Sequence, residues 1–179
     1  TEALSGALPR LIDQAWLAAE FLKRRVPGFE RAVFSGLAPR IGIRETRRII
    51  GREVLDTQDV LTGRKRPDGI GKGAHELDVH GAGKVHRREM IKDGGSYDIP
   101  FGCLVPLNTR NLLVAGRCLS ATREAHGSAR VMGTCMAMGQ AAGTAAALCA
   151  AEDQPISQLS IAALRDRLRD QGAVLETQY

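Results

Sequence analysis

The stretch Asn111-Leu112-Leu113-Val114-Ala115-Gly116-Arg117 decides the expected fold of this chain of 179 residues. Residues 111–115 are a continuous apolar run, which predicts a strand buried on both faces of a parallel sheet. Gly116 ends the run, a polar loop follows, and residues 131–150 have the alanine-rich composition of a long helix. A strand, a glycine turn, a loop and a helix in this order are typical of a ligand site at the carboxyl edge of a parallel sheet.

The start of that helix is a predicted binding position for a negatively charged group. The first backbone amides of a helix lack intrahelical acceptors and carry partial positive charge, so an anion or a developing oxyanion is favoured there. Gly133, in the first turn, lets a flat ligand approach the backbone. Gly139 and Gly143 give the same helix a bare face against which other backbone packs closely.

The rest of the sequence predicts further short strands and helices. Apolar residues at helical spacing predict a first helix over residues 8–23, with Pro9 in its first turn. The other predicted elements are one or two strands within 41–55, a helical turn over 57–61, a loop over 69–83 that includes a strand at 75–80, an extended segment over 97–106, and a last helix over 160–172.

Composition and charge disfavour several classes of protein. Aromatic residues make up only 4% of the chain, which leaves no stacking platform for nucleic-acid bases. The net charge of +5 is carried by short clusters such as Lys23-Arg24-Arg25, which fit either a hydrated surface or a site for phosphates and carboxylates. Residues 131–151 contain no charged residue, but small side chains dominate and flanking aromatic anchors are absent. Packing inside a protein is therefore predicted for this helix, not insertion into a membrane.

Cysteine spacing indicates the redox setting. The four cysteines, Cys103, Cys118, Cys135 and Cys149, are widely separated and lie in apolar stretches without a Cys-x-x-Cys pair. A structural zinc site is therefore not expected. Buried reduced thiols in a cytoplasmic protein are predicted, and the opening Thr-Glu-Ala has no features of a signal peptide.

Three stretches, matching in order and spacing, carry a resemblance to a known family. The longest begins Asn111-Leu-Leu-Val-Ala-Gly-Arg-Cys-Leu-Ser120 and continues through His126-Gly-Ser-Ala-Arg130-Val-Met-Gly133. The others are Gly42-Ile-Arg44-Glu-Thr-Arg47, followed by Asp59-Val-Leu-Thr-Gly63, and Tyr97-Asp-Ile-Pro100-Phe-Gly-Cys-Leu-Val-Pro106. Together they resemble the carboxyl-terminal portion of bacterial FAD-dependent oxidoreductases, a family more distantly related to the fumarate reductase and succinate dehydrogenase flavoproteins.

The resemblance implies a flavoprotein with an α/β fold. FAD would be the cofactor, and the reaction would be hydride transfer between FAD and a small organic substrate. Residues 1–108 would form part of a substrate-facing α+β domain, and residues 109–179 the last strand and long helix of a Rossmann-like FAD-binding domain.

One element of the family is missing from the sequence. The family's Gly-x-Gly-x-x-Gly turn has no counterpart, because Gly69-Ile-Gly71-Lys-Gly73 lacks that spacing. The chain is therefore expected to be a fragment, inactive alone, whose Rossmann half lies elsewhere on the gene, lies on a partner chain or has been lost. One alternative is a non-catalytic subunit that completes an FAD site on another chain. A second, a basic module that binds anions or nucleic acid, is disfavoured by the lack of an aromatic platform and by the expected burial of the helix that begins at Val131, so no nucleic-acid partner is expected. A homo-oligomer is compatible both with the flavoprotein fragment and with the non-catalytic subunit.

Cofactor-binding residues are carried over from the family's motif. In the family, the turn at Gly116 and Arg117 contacts the ribityl and pyrophosphate region, and the helix start over residues 130–133 faces the flavin N1 and C2 oxygen. The resemblance thus implies cofactor binding by Ala115, Gly116, Arg117, Ser120, Arg130, Val131, Met132 and Gly133.

Arg130 and Arg44 are predicted catalytic residues, each with an alternative. Arg130 matches an arginine that binds or activates substrate in the distant relatives, and the alternative is a cation that anchors the loop. Arg44 lies in the stretch that approaches the substrate side of the flavin, and the alternative is a salt bridge between strands.

The histidines allow several interpretations. His80, the third predicted catalytic residue, could form a proton-transfer pair with Asp78. These two residues could instead bind a metal with His75 and His86, but their irregular spacing predicts no metal site. His126 is interpreted as a surface histidine.

Overall fold

The computed structural model describes residues 2–80 and 86–177. These residues form two compact units, one ending at Ile43 and the other beginning at Arg44. None of the described helices combines the length and the hydrophobicity that a membrane crossing requires.

The first unit is built on helix α1 (Glu2–Arg25). The helix confirms the one predicted from residue 8, but it begins earlier, so Pro9 lies inside it and not in its first turn. No residue of α1 is buried. The Trp16 and Phe34 rings lie against each other with centroids 4.7 Å apart.

The described part of the second unit combines helices of different lengths with two small sheets. Its elements are α2 (Thr57–Leu61), β1 (Gly69–Gly73), β2 (Leu77–Val79), β3 (Arg87–Glu89), β4 (Tyr97–Pro100), α3 (Arg123–Ala129), α4 (Met132–Ala151) and α5 (Ile161–Asp170), with 3-10 turns at Lys92–Gly94, Phe101–Leu104, Gly116–Cys118 and Ile156–Gln158. The helices predicted over 57–61, 131–150 and 160–172 are confirmed. The predicted loop between Gly116 and Val131 contains α3, which was not predicted from the sequence.

Both sheets are antiparallel pairs. Strand β1 pairs with β4, and β2 pairs with β3 in the register Leu77–Glu89, Asp78–Arg88 and Val79–Arg87. The prediction of a loop over 69–73 is wrong, because the glycines there make room for the partner strand. At Gly73 a methyl group would overlap the Tyr97 ring, so this strand depends on its lack of side chains.

The core of the second unit lies between the β1–β4 sheet and the two long helices. Helix α4 packs on β1, and α5 packs on α4. Fully buried side chains fill the space between them: Ile70, Tyr97, Ile99, Leu104, Leu119, Met138, Leu164 and Leu168. This packing fixes the position of α4, whose amino-terminal end belongs to the site described below.

The predicted strand over 111–115 is absent. Asn111 has a left-handed φ of 56°, Leu112 is 44% exposed, and the Val114 N–H donates to the Leu104 carbonyl at 2.9 Å. In the part of the chain that the structure describes, no strand runs beside this segment. An apolar run alone does not make a strand, because the backbone needs a neighbour for its hydrogen bonds.

The strands predicted within 41–55 are also replaced by irregular extended chain. This segment is held by isolated bridges, Gly51 with Pro106 and Leu55 with Ala121. The described residues therefore form a mixed α and β fold with small antiparallel sheets, which is compatible with part of a larger α/β domain.

Candidate functional site

The first turn of α4 is an open helix end. Val131, which precedes the helix, is extended (φ −68°, ψ 154°), and no described side chain caps the turn. The Cys135 N–H donates to the Val131 carbonyl at 2.9 Å. Met132 is 79% exposed, and a Cβ on Gly133 would meet nothing within 4 Å. The amides of this turn are therefore accessible to a ligand with negative charge.

A cavity of about 440 Å³ lies beside this turn, within the usual size range of small-molecule sites. It is lined by Arg44, His75, Asp78, Arg117, Gly127, Arg130, Val131, Met132 and Cys135. The three arginines and the helix end make the cavity positive overall, because Asp78 is the one carboxylate among these lining residues. The site therefore favours an anionic or electron-rich ligand.

The turn Gly116–Cys118 forms one side of the site. Gly116 has a φ of 74°, in the left-handed region that glycine adopts without steric cost. A Cβ there would stand 3.7 Å from Cys135 Sγ, an ordinary contact, so the backbone conformation and not the space requires glycine. The turn places Arg117 at the cavity.

His126 connects this turn to α3. The side chain is fully buried, and its Nε2 donates to the Arg117 carbonyl at 2.9 Å. The interpretation of His126 as a surface histidine is wrong, because α3 turns this side chain inward. Burial lowers the pKa of His126, so the ring is neutral near pH 7. Its Nδ1 has no hydrogen-bond partner among the described residues and faces Glu45 Oε2 at 3.7 Å.

Glu45 links His126 to the arginines. Its carboxylate lies 3.8 Å from Arg130 Nη1 and 3.4 Å from Arg48 Nη2. Arg48 also donates to the Ala121 carbonyl at 2.8 Å. Arg130 thus lines the cavity and also contacts an acidic side chain, so both interpretations of this residue have a geometric basis.

Asp78 joins two histidines at one edge of the cavity. Its Oδ1 lies 3.3 Å from His80 Nε2 and accepts a hydrogen bond from His86 Nε2, which lowers the pKa of Asp78. The His80 and His86 rings stack with centroids 4.3 Å apart. His75 stands apart from this group, with its Nδ1 on the Glu76 carbonyl at 2.8 Å.

The structure gathers most of the residues singled out in the sequence, but not all. Arg44, Arg117, Arg130, Val131 and Met132 line the cavity. Gly116 and Gly133 adjoin it through their chain neighbours Arg117 and Met132, and Ala115 stands one residue further away. Ser120 is buried, and its backbone bonds to Cys103 and Leu55, while His80 contacts Asp78 and does not line the cavity.

Sequence reasoning missed three contributors, Glu45, Gly127 and Cys135. A local signal pointed to the helix that carries Gly127: Thr122 caps α3 by accepting from the Ala125 N–H. No local pattern indicated Glu45, whose partners lie far along the chain.

The residues at the cavity fit the ring end of a flavin. The uncapped turn of α4 offers N–H donors, and the open space at Gly133 admits a flat group to the backbone. The left-handed Gly116 places Arg117 beside the same turn. Val131, Met132 and Gly133 would hold the ring, and Arg117 the polar chain attached to it.

Comparison with known proteins agrees with this fit. No curated protein and no solved structure matches the chain. The family model of the FAD dependent oxidoreductases matches residues 4–168, nearly the whole chain. FAD is accordingly the cofactor, and flavin-dependent oxidoreduction is the general activity. The chain belongs to the FAD dependent oxidoreductase family.

Proposed function

We propose that the cavity beside α4 is where a small organic substrate meets the flavin, and that the protein transfers a hydride between the two. One observation carries the proposal. Arg44, Arg117 and Arg130, which lie on separate stretches of the sequence, line one cavity with the first turn of α4. Bound FAD supplies the site that accepts or donates the hydride.

The backbone at the start of α4 orients the flavin in this proposal. N–H groups aimed at an oxygen or nitrogen that gains negative charge stabilise the reduced ring without reorganisation. Residues 130–133 and the turn at Ala115, Gly116 and Arg117 supply these contacts. Ser120 contributes indirectly, since its backbone hydrogen bonds hold the end of that turn in the core.

Arg44 and Arg130 bind the substrate. Arg44 is exposed at the cavity, whereas the Arg130 side chain is only 15% exposed and contacts Glu45. Two guanidinium groups at a small cavity fit a substrate that carries a carboxylate or a polarised carbonyl. His80 moves a proton by way of Asp78, which lines the cavity while His80 does not.

The adenosine half of FAD is bound by a Rossmann segment outside these 179 residues, on the same gene or on a partner chain. The lack of a Gly-x-Gly-x-x-Gly turn in the sequence supports this division. Residues 1–108 then face the substrate and residues 109–179 the cofactor. The four free thiols support a reducing, cytoplasmic setting.

The non-catalytic alternative keeps a specific observation in its favour. Leu112 and Met136 are large, exposed apolar side chains, at 44% and 69%, in or beside the cofactor region. Such side chains suit a unit that docks on another chain and completes its FAD site.

Anaerobic flavin bleaching tests the proposal. The complete flavoprotein, in which this chain is joined to its Rossmann segment, is mixed with a panel of small 2-hydroxy, saturated and amino carboxylates and with matched uncharged compounds, and the visible flavin absorbance is followed. A carboxylate is expected to bleach the flavin, and Arg44→Gln should raise its half-saturating concentration while the control Arg47→Gln does not. Equal reduction of wild type and Arg44→Gln by every active compound would contradict the assignment. Absence of any reduction, with normal FAD content, would favour the docking subunit.

A further inference from the structure

Asp78, His80 and His86 lie on one face of the β2–β3 hairpin. Alternate residues of a strand share a face, which puts Asp78 and His80 together. The register pairs Val79 with Arg87, so the next facing pair is His80 and His86. The irregular spacing that argued against a metal in the sequence is a consequence of this hairpin.

The side chains converge on one point. One ligand atom from each residue lies within 4.8 Å of the other two. Both imidazoles direct Nε2 at the same Oδ1 of Asp78, and their rings stack within 15° of parallel. Ligands about 2.0–2.2 Å from a tetrahedral ion stand roughly 3.3–3.6 Å apart, a spacing within reach of this set, and the two stacked rings must tilt to bring one ion into both ring planes.

The arginine nearest to Asp78 on the neighbouring strand does not form an ion pair with it, so the Asp78 carboxylate contacts the two histidines. Arg88, which stands opposite Asp78 in the register, pairs with Glu76. The two histidine side chains are 48% and 41% exposed, so water has access to further coordination positions.

We propose that Asp78, His80 and His86 bind one divalent first-row transition metal ion, with Zn²⁺ as the ion of reference. Two imidazoles and a carboxylate suit such an ion, and affinity along the series rises from manganese to copper and falls again at zinc. The ion joins both strands and stabilises the hairpin. An ion on Nε2 of His80 prevents this histidine from passing a proton to Asp78, so the metal site and the proton transfer given to His80 in the proposed function are alternative states of the same side chain.

Zn²⁺ binding to the metal-stripped chain tests the proposal without any need for FAD. Isothermal titration should give one site per chain in the wild type, and Co²⁺ should give the visible bands of a low-symmetry site. His80→Gln and His86→Gln should each weaken Zn²⁺ binding by at least tenfold, because each removes a ligand. His75→Gln, a histidine outside the cluster, is the matched control and should bind as the wild type does.

Thermal unfolding gives an independent readout. Zn²⁺ should raise the melting temperature of the wild type and of His75→Gln, since it binds the folded state, and should not raise that of the His80→Gln/His86→Gln double variant. The circular dichroism spectra of the metal-free variants should match that of the wild type. Equal Zn²⁺ affinity in the double variant and the wild type, or no saturable binding by the folded wild type, would overturn the site.

Discussion

At the scale of single residues, His126 shows how one buried side chain organises the site. It bonds to the turn that carries Arg117 and faces Glu45, which in turn contacts Arg130 and Arg48. Its neutral state is set by burial, which outweighs the opposing pull of the Glu45 charge on its pKa. The unfolded chain exposes this histidine to water, where its pKa returns towards 6.5.

A pH dependence of stability follows from this difference. Below pH 6.5 the unfolded chain takes up a proton on His126 more readily than the folded chain does, so the free energy of unfolding should fall as the pH falls. His126→Gln keeps a side-chain donor for the Arg117 carbonyl and removes the titration, so it should flatten the slope just below that pH. Urea unfolding across this range measures it, with His75→Gln as the control. Equal slopes in His126→Gln and the wild type would contradict the burial argument.

A substitution of Arg130 distinguishes its two interpretations, a residue that stabilises the substrate and a cation that anchors the loop. If it stabilises charge that develops in the substrate, Arg130→Gln should slow flavin reduction by roughly 100-fold, the usual cost of one preorganised donor. The test uses the complete flavoprotein, whose FAD content should stay near normal because the backbone amides of Val131 and Met132 remain. Stopped-flow reduction, corrected for bound flavin and compared with Arg47→Gln, makes the measurement. A native rate per flavin, with lower FAD content and stability, would make Arg130 a loop anchor.

The cysteines differ in reactivity for a similar reason. Burial raises the pKa of the Cys103 thiol to about 12, whereas Cys118 is exposed. Since the thiolate is the reactive form, alkylation of the native protein near neutral pH should modify Cys118 and leave Cys103 intact until denaturant is added. Peptide mass spectrometry over a time course checks the order. Labelling of Cys103 as fast as Cys118 would show that the core around it opens readily.

At the scale of elements, two glycines in ordered structure have opposite roles. A methyl group on Gly73 would overlap the Tyr97 ring across the sheet, whereas one on Gly139 of α4 would meet nothing within 4 Å. Gly73→Ala should lower the free energy of unfolding by about 1–3 kcal/mol through overpacking. Gly139→Ala should raise it by roughly 0.5–1 kcal/mol, since alanine favours the helix. Chemical denaturation of both variants gives the comparison, and a neutral Gly73→Ala would mean that β1 is not closely packed.

The helices were predictable from sequence and the strands largely were not. Alanine-rich composition predicts α4, and apolar periodicity with the Ser160 cap predicts α5, because the hydrogen bonds of a helix are made within the segment. Strand β1 forms because it pairs with β4. The local sequence Gly-Ile-Gly-Lys-Gly does not indicate that Tyr97 of β4 lies opposite it. The opposite error occurs at residues 111–115. Their apolar pattern predicts a strand, but no strand forms because the described residues supply no neighbouring strand.

At the scale of the whole molecule, the candidate site is made by distant stretches that meet. The turn before α4 was predictable through its glycines and its resemblance to a flavin motif. The contribution of Glu45 was not, because its contacts with His126 and Arg130 form only when the irregular segment after Arg44 packs beside α3. In the proposed function the chain contributes the ring end of a cofactor site, and its sequence has no stretch with the spacing of a Gly-x-Gly-x-x-Gly turn.

If the adenosine half of FAD is bound by another segment, this chain of 179 residues should bind FAD weakly on its own. The adenosine and pyrophosphate supply much of the binding free energy of a dinucleotide in a Rossmann site, where a glycine-rich turn lets the backbone reach the phosphates. The chain alone should therefore lose FAD on gel filtration, and a segment that carries a Gly-x-Gly-x-x-Gly turn, fused or added, should restore a stoichiometric yellow complex. In that complex Arg117→Gln should lower FAD affinity, while the exposed Arg47→Gln should not. A tight, stoichiometric FAD complex of the chain alone would show that its own residues bind the whole cofactor, and the proposed division of the site would be wrong.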